Sequence, residues 1–294
     1  MSLIKGIYAA SMSVLNEDLT LNIEKTIKHA EMVIDQGCHG VAMFGSTGQA
    51  QLISISEKIN LLNQLSLSKY KKKYIIGTGL NSLSETINLM RIAKSLEFTK
   101  FLIMPPAYYQ YGDKQVFEFY SKLIQAIPES KIVLYNFEKL CGYRFSVECV
   151  EELVKNFPDQ IVGVKDSSYN LFENLRLENF SILPGSESKL LKGLELGCSG
   201  IITATCNVTA ELARKVYDDF TAQNEQTVNQ KLCDVRSSFE KYNLISALHT
   251  YFGKHNRSYM NVLPPLNTLN SQDEKELIKN LEKLNFSIKS LMAA

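Results

Sequence analysis

Short apolar runs and helix-period segments alternate along this chain, and that alternation restricts the fold more than any other feature. The runs are KGIYAA (5–10), GVAMF (40–44), YIIGTG (74–79), KFLIMP (100–105), KIVLYN (131–136), IVGVK (161–165), FSILPG (180–185) and SGIIT (199–203). Short runs with almost no polar interruption suit parallel strands covered on both faces. Between them, residues 21–36 place Ile23, Ile27, Ala30 and Ile34 on one helical face, with Gly37 as a stop signal. Ser56, Ser84 and Ser146 each precede a further helical pattern and read as N-caps. Eight strand-then-helix units predict an α/β chain closed as a (β/α)8 TIM barrel. The rival, an open doubly wound sheet, predicts a G-x-G-x-x-G turn after an early strand, and the sequence contains none.

The pattern changes after about residue 224. Residues 225–252 and 272–291 read as helices, joined by HNRSYMNVLPPLNTLN, where Pro264-Pro265 forbids a helix. The expected organisation is a barrel over residues 1–224 and a C-terminal helical appendage over 225–294.

Charge and composition exclude several classes of function. Of 294 residues, 32 are Lys or Arg and 31 are Asp or Glu, a formal net charge of +1. That balance offers no basic field for nucleic acid and no polybasic arm for a membrane surface. No apolar stretch approaches a membrane span, and no signal peptide opens the chain. Six cysteines form no C-x-x-C pair and no zinc-spaced cluster with histidine. Free thiols in apolar segments point to the reducing cytoplasm. His29, His39, His249 and His255 are scattered and read as structural or surface groups.

In a barrel of this kind, chemistry belongs at the C-terminal ends of the strands. That rule selects GSTGQ (45–49), GTG (77–79), PPAYYQY (105–111), YNFEKLCG (135–142), Lys165, PGSES (184–188) and Thr203. GSTGQ is a tight turn whose glycines let the backbone approach an anion, although the same residues also suit a plain turn. Tyr135 ends an apolar strand. It is either a rim tyrosine or a proton relay, since a phenol both donates and accepts. Lys165 ends another strand. It is either where the strand surfaces or a nucleophile kept neutral by an apolar mouth.

Together these segments resemble the dihydrodipicolinate synthase/N-acetylneuraminate lyase family of pyruvate-dependent class I aldolases. The likeness runs from about Lys5 to Pro264-Pro265-Leu266. It rests on GSTGQ, GTGLNSLSETI (77–87), PPAYY, YN-x5-G at 135–142, GVKDSS (163–168), and PGSES followed by GCSGIITATCNV (197–208). The resemblance implies that Lys165 forms a Schiff base with the C2 carbonyl of pyruvate or another 2-oxo acid. Tyr135 would shuttle protons, and Thr47 would link it to Tyr109 of a neighbouring subunit in a homodimer or homotetramer. Backbone N–H groups of Ser46 and Thr47 would hold the carboxylate, and Ile202 would line the pyruvate pocket. The iminium would be the electron sink, with no metal or other cofactor required.

The resemblance divides at substrate. Synthases of the lysine precursor carry an arginine where Leu140 stands and a proline where Glu138 stands; Arg144 lies four residues on. Sialic acid lyases match Leu140 and most of GSTG-E, but Gln49 replaces their glutamate and Ala204 replaces a serine. Glu187 matches an acid that binds sugar hydroxyls there, and Ser167 and Ser186 stand on neighbouring strand ends. The resemblance therefore favours a 2-oxo sugar acid lyase. A lysine-precursor synthase, a sugar-acid dehydratase and a non-catalytic small-molecule binder remain as alternatives.

Overall fold

The computed structural model describes residues 3–288. Eight strands form one parallel sheet: β1 (Gly6–Ala10), β2 (Gly40–Met43), β3 (Tyr74–Gly77), β4 (Lys100–Ile103), β5 (Lys131–Asn136), β6 (Ile161–Asp166), β7 (Ser181–Pro184) and β8 (Gly200–Thr203). Their order is β7-β6-β5-β4-β3-β2-β1-β8. The last seam is bridged by Ser199 N–H, which donates to Ile182 O at 2.9 Å. The chain is a TIM barrel, as the alternation predicted.

Side-chain alternation along the strands makes two apolar layers. Ala42, Ile75, Leu102, Val133, Leu183 and Ile202 fill the barrel interior, while Val41, Ile76, Phe101, Leu134, Val164 and Ile201 pack against the helices. Both layers are buried, which is why each strand reads as an unbroken apolar run.

The surrounding helices are α1 (Ile23–Asp35), α2 (Ile55–Leu65), α3 (Leu83–Ser95), α4 (Asp113–Ala126), the one-turn α5 (Glu138–Cys141), α6 (Val147–Asn156), α7 (Leu190–Glu195) and α8 (Cys206–Thr221). Ser146 caps α6 as expected. The caps of α2 and α3 are Ser54 and Ser82 rather than Ser56 and Ser84. The reason is the Ser-x-x-Glu spacing. Ser54 and Ser82 accept from the backbone N–H of Glu57 and Glu85, and Glu57 returns a bond to Ser54 N–H.

One expected helix is missing. Residues 167–180, between β6 and β7, form turns. The Asp166 carboxylate accepts the backbone N–H groups of Tyr169, Leu171 and Phe172, and these bonds compete with a helical ladder.

After α8 come α9 (Asn229–Glu240), α10 (Leu244–Gly253) and α11 (Ser271–Lys283). The single helix expected over 225–252 is two. Asn243 breaks it by accepting the N–H groups of Ile245 and Ser246 as a fresh N-cap. The expected helix over 272–291 ends at Lys283, and its residues 289–291 lie outside the described residues. These helices share a second apolar cluster with Met12 and Val14 beyond β1 and Val208 of α8. Among the described residues, no helix is long and apolar enough to cross a membrane.

Candidate active site

Strands β5 and β6 pair in parallel register, with Tyr135 opposite Lys165 and Asn136 opposite Asp166. Alternation sends Tyr135 inward with Val133, and Val164 outward against the helices. Lys165 is 3% exposed, and its Nζ lies 4.0 Å from the centroid of the Tyr135 ring. The Tyr135 hydroxyl lies 3.0 Å from Ser46 Oγ. A buried amine, a phenol and an alcohol thus meet at the C-terminal rim of the barrel.

The backbone beneath this trio is fixed by polar bonds. Asn136 Nδ2 donates to Asp166 Oδ1 and to Asn170 Oδ1, each at 2.8 Å. With the three N–H groups of the following turn, that gives the Asp166 carboxylate four donors. Burial nevertheless pushes its carboxyl above the usual range. Ser46 begins a short 3₁₀ turn, Ser46–Gly48. Within the turn the first bond is made by Gly48 N–H to Gly45 O, at 3.1 Å, and Ser13 Oγ donates to Gly48 O at 2.7 Å. Phe44, just before it, has φ 53° and pushes its carbonyl against β3. A Cβ at Gly77 would sit 2.2 Å from that oxygen, so only glycine fits there.

A cavity of about 480 Å³ opens beside the trio. Ser46, Gln49, Gln51, Asn81 and Tyr135 supply its polar wall; Met104, Leu140 and Leu266 are among its apolar lining. Tyr135 stands in the wall, and Lys165 lies behind it. A larger cavity of about 770 Å³ lies among Leu3, Lys5, Phe180 and Ser199, near the strand starts and away from the trio.

Other residues singled out in the sequence fall as follows. Ile202 is buried inside the barrel in the same apolar cluster as Tyr135. Ser167 is half-buried, and its N–H donates to Asn136 O. Ser186 is buried, with its hydroxyl 3.0 Å from that of Ser188. Thr47 is 4% exposed, but the hydroxyl that meets Tyr135 belongs to Ser46. The turn geometry presents its first hydroxyl to β5, and adjacent residues of one sequence motif cannot be separated by spacing alone. Tyr109 lies on the loop after β4, 75% exposed, its ring edge-on to that of Tyr108.

Glu187 is the clearest departure. It was expected to bind substrate hydroxyls, yet it is wholly buried and its oxygens are taken up by the protein. Thr203 Oγ1 donates at 2.7 Å, Thr205 Oγ1 at 2.5 Å, Thr209 Oγ1 at 3.2 Å and an Arg236 nitrogen at 3.1 Å. A carboxylate with four donors has little left to offer a ligand. Arg144 pairs with Glu138 at 3.7 Å on the surface and does not line the cavity. Asn136, Asp166 and Arg236 were missed in the sequence. The first two directly follow the residues already chosen, in YN and KD, and that adjacency was the available signal.

Comparison with known proteins gives one consistent answer. The family model described as the dihydrodipicolinate synthetase family matches residues 3–284. The 4-hydroxy-tetrahydrodipicolinate synthase of Methanococcoides burtonii is 25% identical over 232 residues, covering 77% of this chain and 78% of that protein. The N-acetylneuraminate lyase of Clostridium perfringens is 27% identical over 222 residues, covering 73% and 75%. The crystal structure of YagE, an Escherichia coli K12 prophage protein solved with pyruvate, superposes with a TM-score of 0.89 at 20% identity, covering 97% of this chain and all of that one.

Proposed function

The chain belongs to the dihydrodipicolinate synthetase family, and from that premise we propose that it is a class I aldolase-type lyase in which Lys165 is the Schiff-base nucleophile. The observation that carries this reading is the Lys165–Tyr135–Ser46 constellation, with Nζ 4.0 Å from the phenol ring and the phenol 3.0 Å from the alcohol. The neutral amine of Lys165 attacks C2 of a 2-oxo acid, and loss of water gives an iminium. Electrons from the broken C3–C4 bond flow into that iminium as the C4 hydroxyl loses its proton and leaves as an aldehyde carbonyl. The Tyr135 oxygen accepts that proton as the phenol passes its own to Ser46 Oγ, 3.0 Å away, and on to water, and the relay run in reverse supplies the proton that C3 later regains. The resulting enamine regains a proton at C3, and water releases the keto acid and the lysine.

Two features support a hydroxylated 2-oxo acid over aspartate semialdehyde. A second carboxylate in a largely dehydrated pocket needs a cation, and none of the residues lining the cavity is cationic. Gln51 and Asn81, which also line the cavity, provide amides suited to hydroxyls instead. The role first assigned to Glu187 passes to these amides.

Pyruvate with borohydride is expected to add one reduced pyruvyl group at Lys165, located by peptide mapping. Lys165→Arg is expected to abolish it, since a guanidinium stays protonated. Labelling at a different lysine would sink the assignment. In a panel of 2-oxo acids, at least one deoxy sugar acid is expected to release pyruvate or lose water, with aspartate semialdehyde consumed poorly. Efficient condensation of aspartate semialdehyde would favour the synthase reading.

A further inference from the structure

Gln49 follows the Ser46–Gly48 turn with φ 55° and ψ 31°, in the left-handed region. For a residue with a Cβ, that conformation costs roughly 1–2 kcal/mol. It persists where the surroundings over-determine it. The Gln49 side chain is 2% exposed and reaches into the C-terminal helical region. Its Oε1 accepts Leu263 N–H at 2.7 Å, and its Nε2 lies 3.3 Å from Nε2 of His249 on α10.

The hydrogen-bond partners fix the tautomer. His249 Nδ1 lies 2.7 Å from the Tyr259 carbonyl oxygen. A carbonyl only accepts, so Nδ1 carries the proton and Nε2 presents a lone pair. The Gln49 amide then has one workable orientation, with NH2 toward His249 and C=O toward Leu263. The same logic continues beyond Tyr259. Its hydroxyl lies 2.9 Å from His29 Nδ1, and His29 Nε2 lies 2.8 Å from Asn207 Oδ1. Asn207 Nδ2 already donates to Ala10 O and Ala204 O, so Oδ1 accepts and His29 carries its proton on Nε2. One neutral protonation pattern thus satisfies the whole chain of contacts, from the end of β1 to the turn after β2. Burial pushes both histidines down to about 4, in keeping with that pattern.

We propose that Gln49 and His249 are positioning residues: the neutral imidazole of α10 clamps the Gln49 amide, and the clamp holds the Ser46–Gly48 turn where Ser46 meets Tyr135. The C-terminal helices then serve the reaction without supplying a reacting group. The inference rests on the proposed roles of Lys165, Tyr135 and Ser46.

Three readouts test it in the full-length protein. In a histidine-labelled sample, ¹⁵N NMR is expected to show His249 with a proton on Nδ1 only. Gln49→Glu keeps the acceptor for Leu263 but turns a second acceptor toward Nε2, so His249 is expected to be doubly protonated at pH 7. In Gln49→Ala, amide exchange over residues 45–52 is expected to speed at least tenfold, with α8 unchanged. Turnover of the 2-oxo acid found by the panel is expected to fall tenfold or more in kcat, with KM and borohydride trapping at Lys165 little altered. A singly protonated His249 in Gln49→Glu, unchanged exchange in Gln49→Ala, or unchanged kcat there would each overturn the clamp. A wild-type protein that forms no adduct with any 2-oxo acid defeats the proposed function instead. The NMR and exchange measurements then decide the clamp by themselves.

Discussion

Tyr135 meets two different neighbours, with its ring beside the Lys165 nitrogen and its hydroxyl on Ser46. Removing only the hydroxyl separates those two roles. Tyr135→Phe keeps the ring and its packing, so a pyruvyl adduct on Lys165 is still expected. In the proposed mechanism proton transfer then lacks its relay, and kcat is expected to drop by roughly 10²–10⁴, the usual worth of a general acid–base group. Steady-state kinetics beside mass spectrometry of the trapped protein reads both. A variant with full turnover would remove Tyr135 from the proton path. His29 and His249 make a second residue-scale prediction. Each is held near 4 by burial, below its ordinary 6.5, so each is neutral in the folded protein. Between those values the unfolded chain binds more protons than the folded one. The stability they contribute is therefore complete above about pH 6.5 and lost as pH falls toward 4, by up to about 3 kcal/mol per histidine at 1.36 kcal/mol per unit. Urea midpoints at pH 7.5, 6.0 and 5.0 are expected to fall in that order. His249→Gln is expected to flatten the trend, and an equally steep trend would exclude His249 as a contributor.

Among the elements, the turn after β7 is tied to α9 by an ion pair that has almost no contact with water. Arg236 is 3% exposed and Glu187 fully buried. Arg236 also reaches Glu240 on its own helix, at 3.3 Å. Removing one partner of such a pair leaves a charge stranded, typically at 3–5 kcal/mol, whereas removing both is far milder. Glu187→Ala is expected to lower unfolding free energy by about that amount. The double variant Glu187→Leu, Arg236→Met is expected to regain most of it. Equal losses in single and double variants, read from denaturant unfolding, would show that the threonine bonds to Glu187 dominate. The family resemblance had assigned the same carboxylate, close after a strand end, to substrate. Strand position selects a group for the barrel mouth, but the mouth has an inner rim facing ligand and an outer rim facing α9.

At the scale of the molecule, Tyr108 and Tyr109 stand out, 88% and 75% exposed on the loop after β4. Leu52, on the loop after β2, and Leu140, on α5, are also exposed at 40% and 45%. We expect a second copy of the chain to cover the tyrosines and to bring Tyr109 to the Ser46–Tyr135 pair. Sedimentation is expected to give at least a dimer. Tyr109→Ala is expected to weaken association and to lower kcat more than it alters trapping of pyruvate. A stable monomer with full activity would exclude the shared site.

The strand order, the barrel and the placing of Tyr135 and Lys165 at strand ends were legible in the sequence, because each depends on periodicity or on a strand end. The eight apolar runs became eight strands, and register alone set Tyr135 opposite Lys165. Other features depended on partners far away in the chain. Ser46 rather than Thr47 meets Tyr135 because of how one turn is closed, 89 residues from the phenol. Glu187 faces Arg236 from 49 residues away, and Gln49 meets His249 from 200. A hydrogen bond requires an approach of about 3 Å and a matched donor and acceptor. Sequence supplies the residue types in order, and only the closed barrel with its packed C-terminal helices brings particular pairs to that distance.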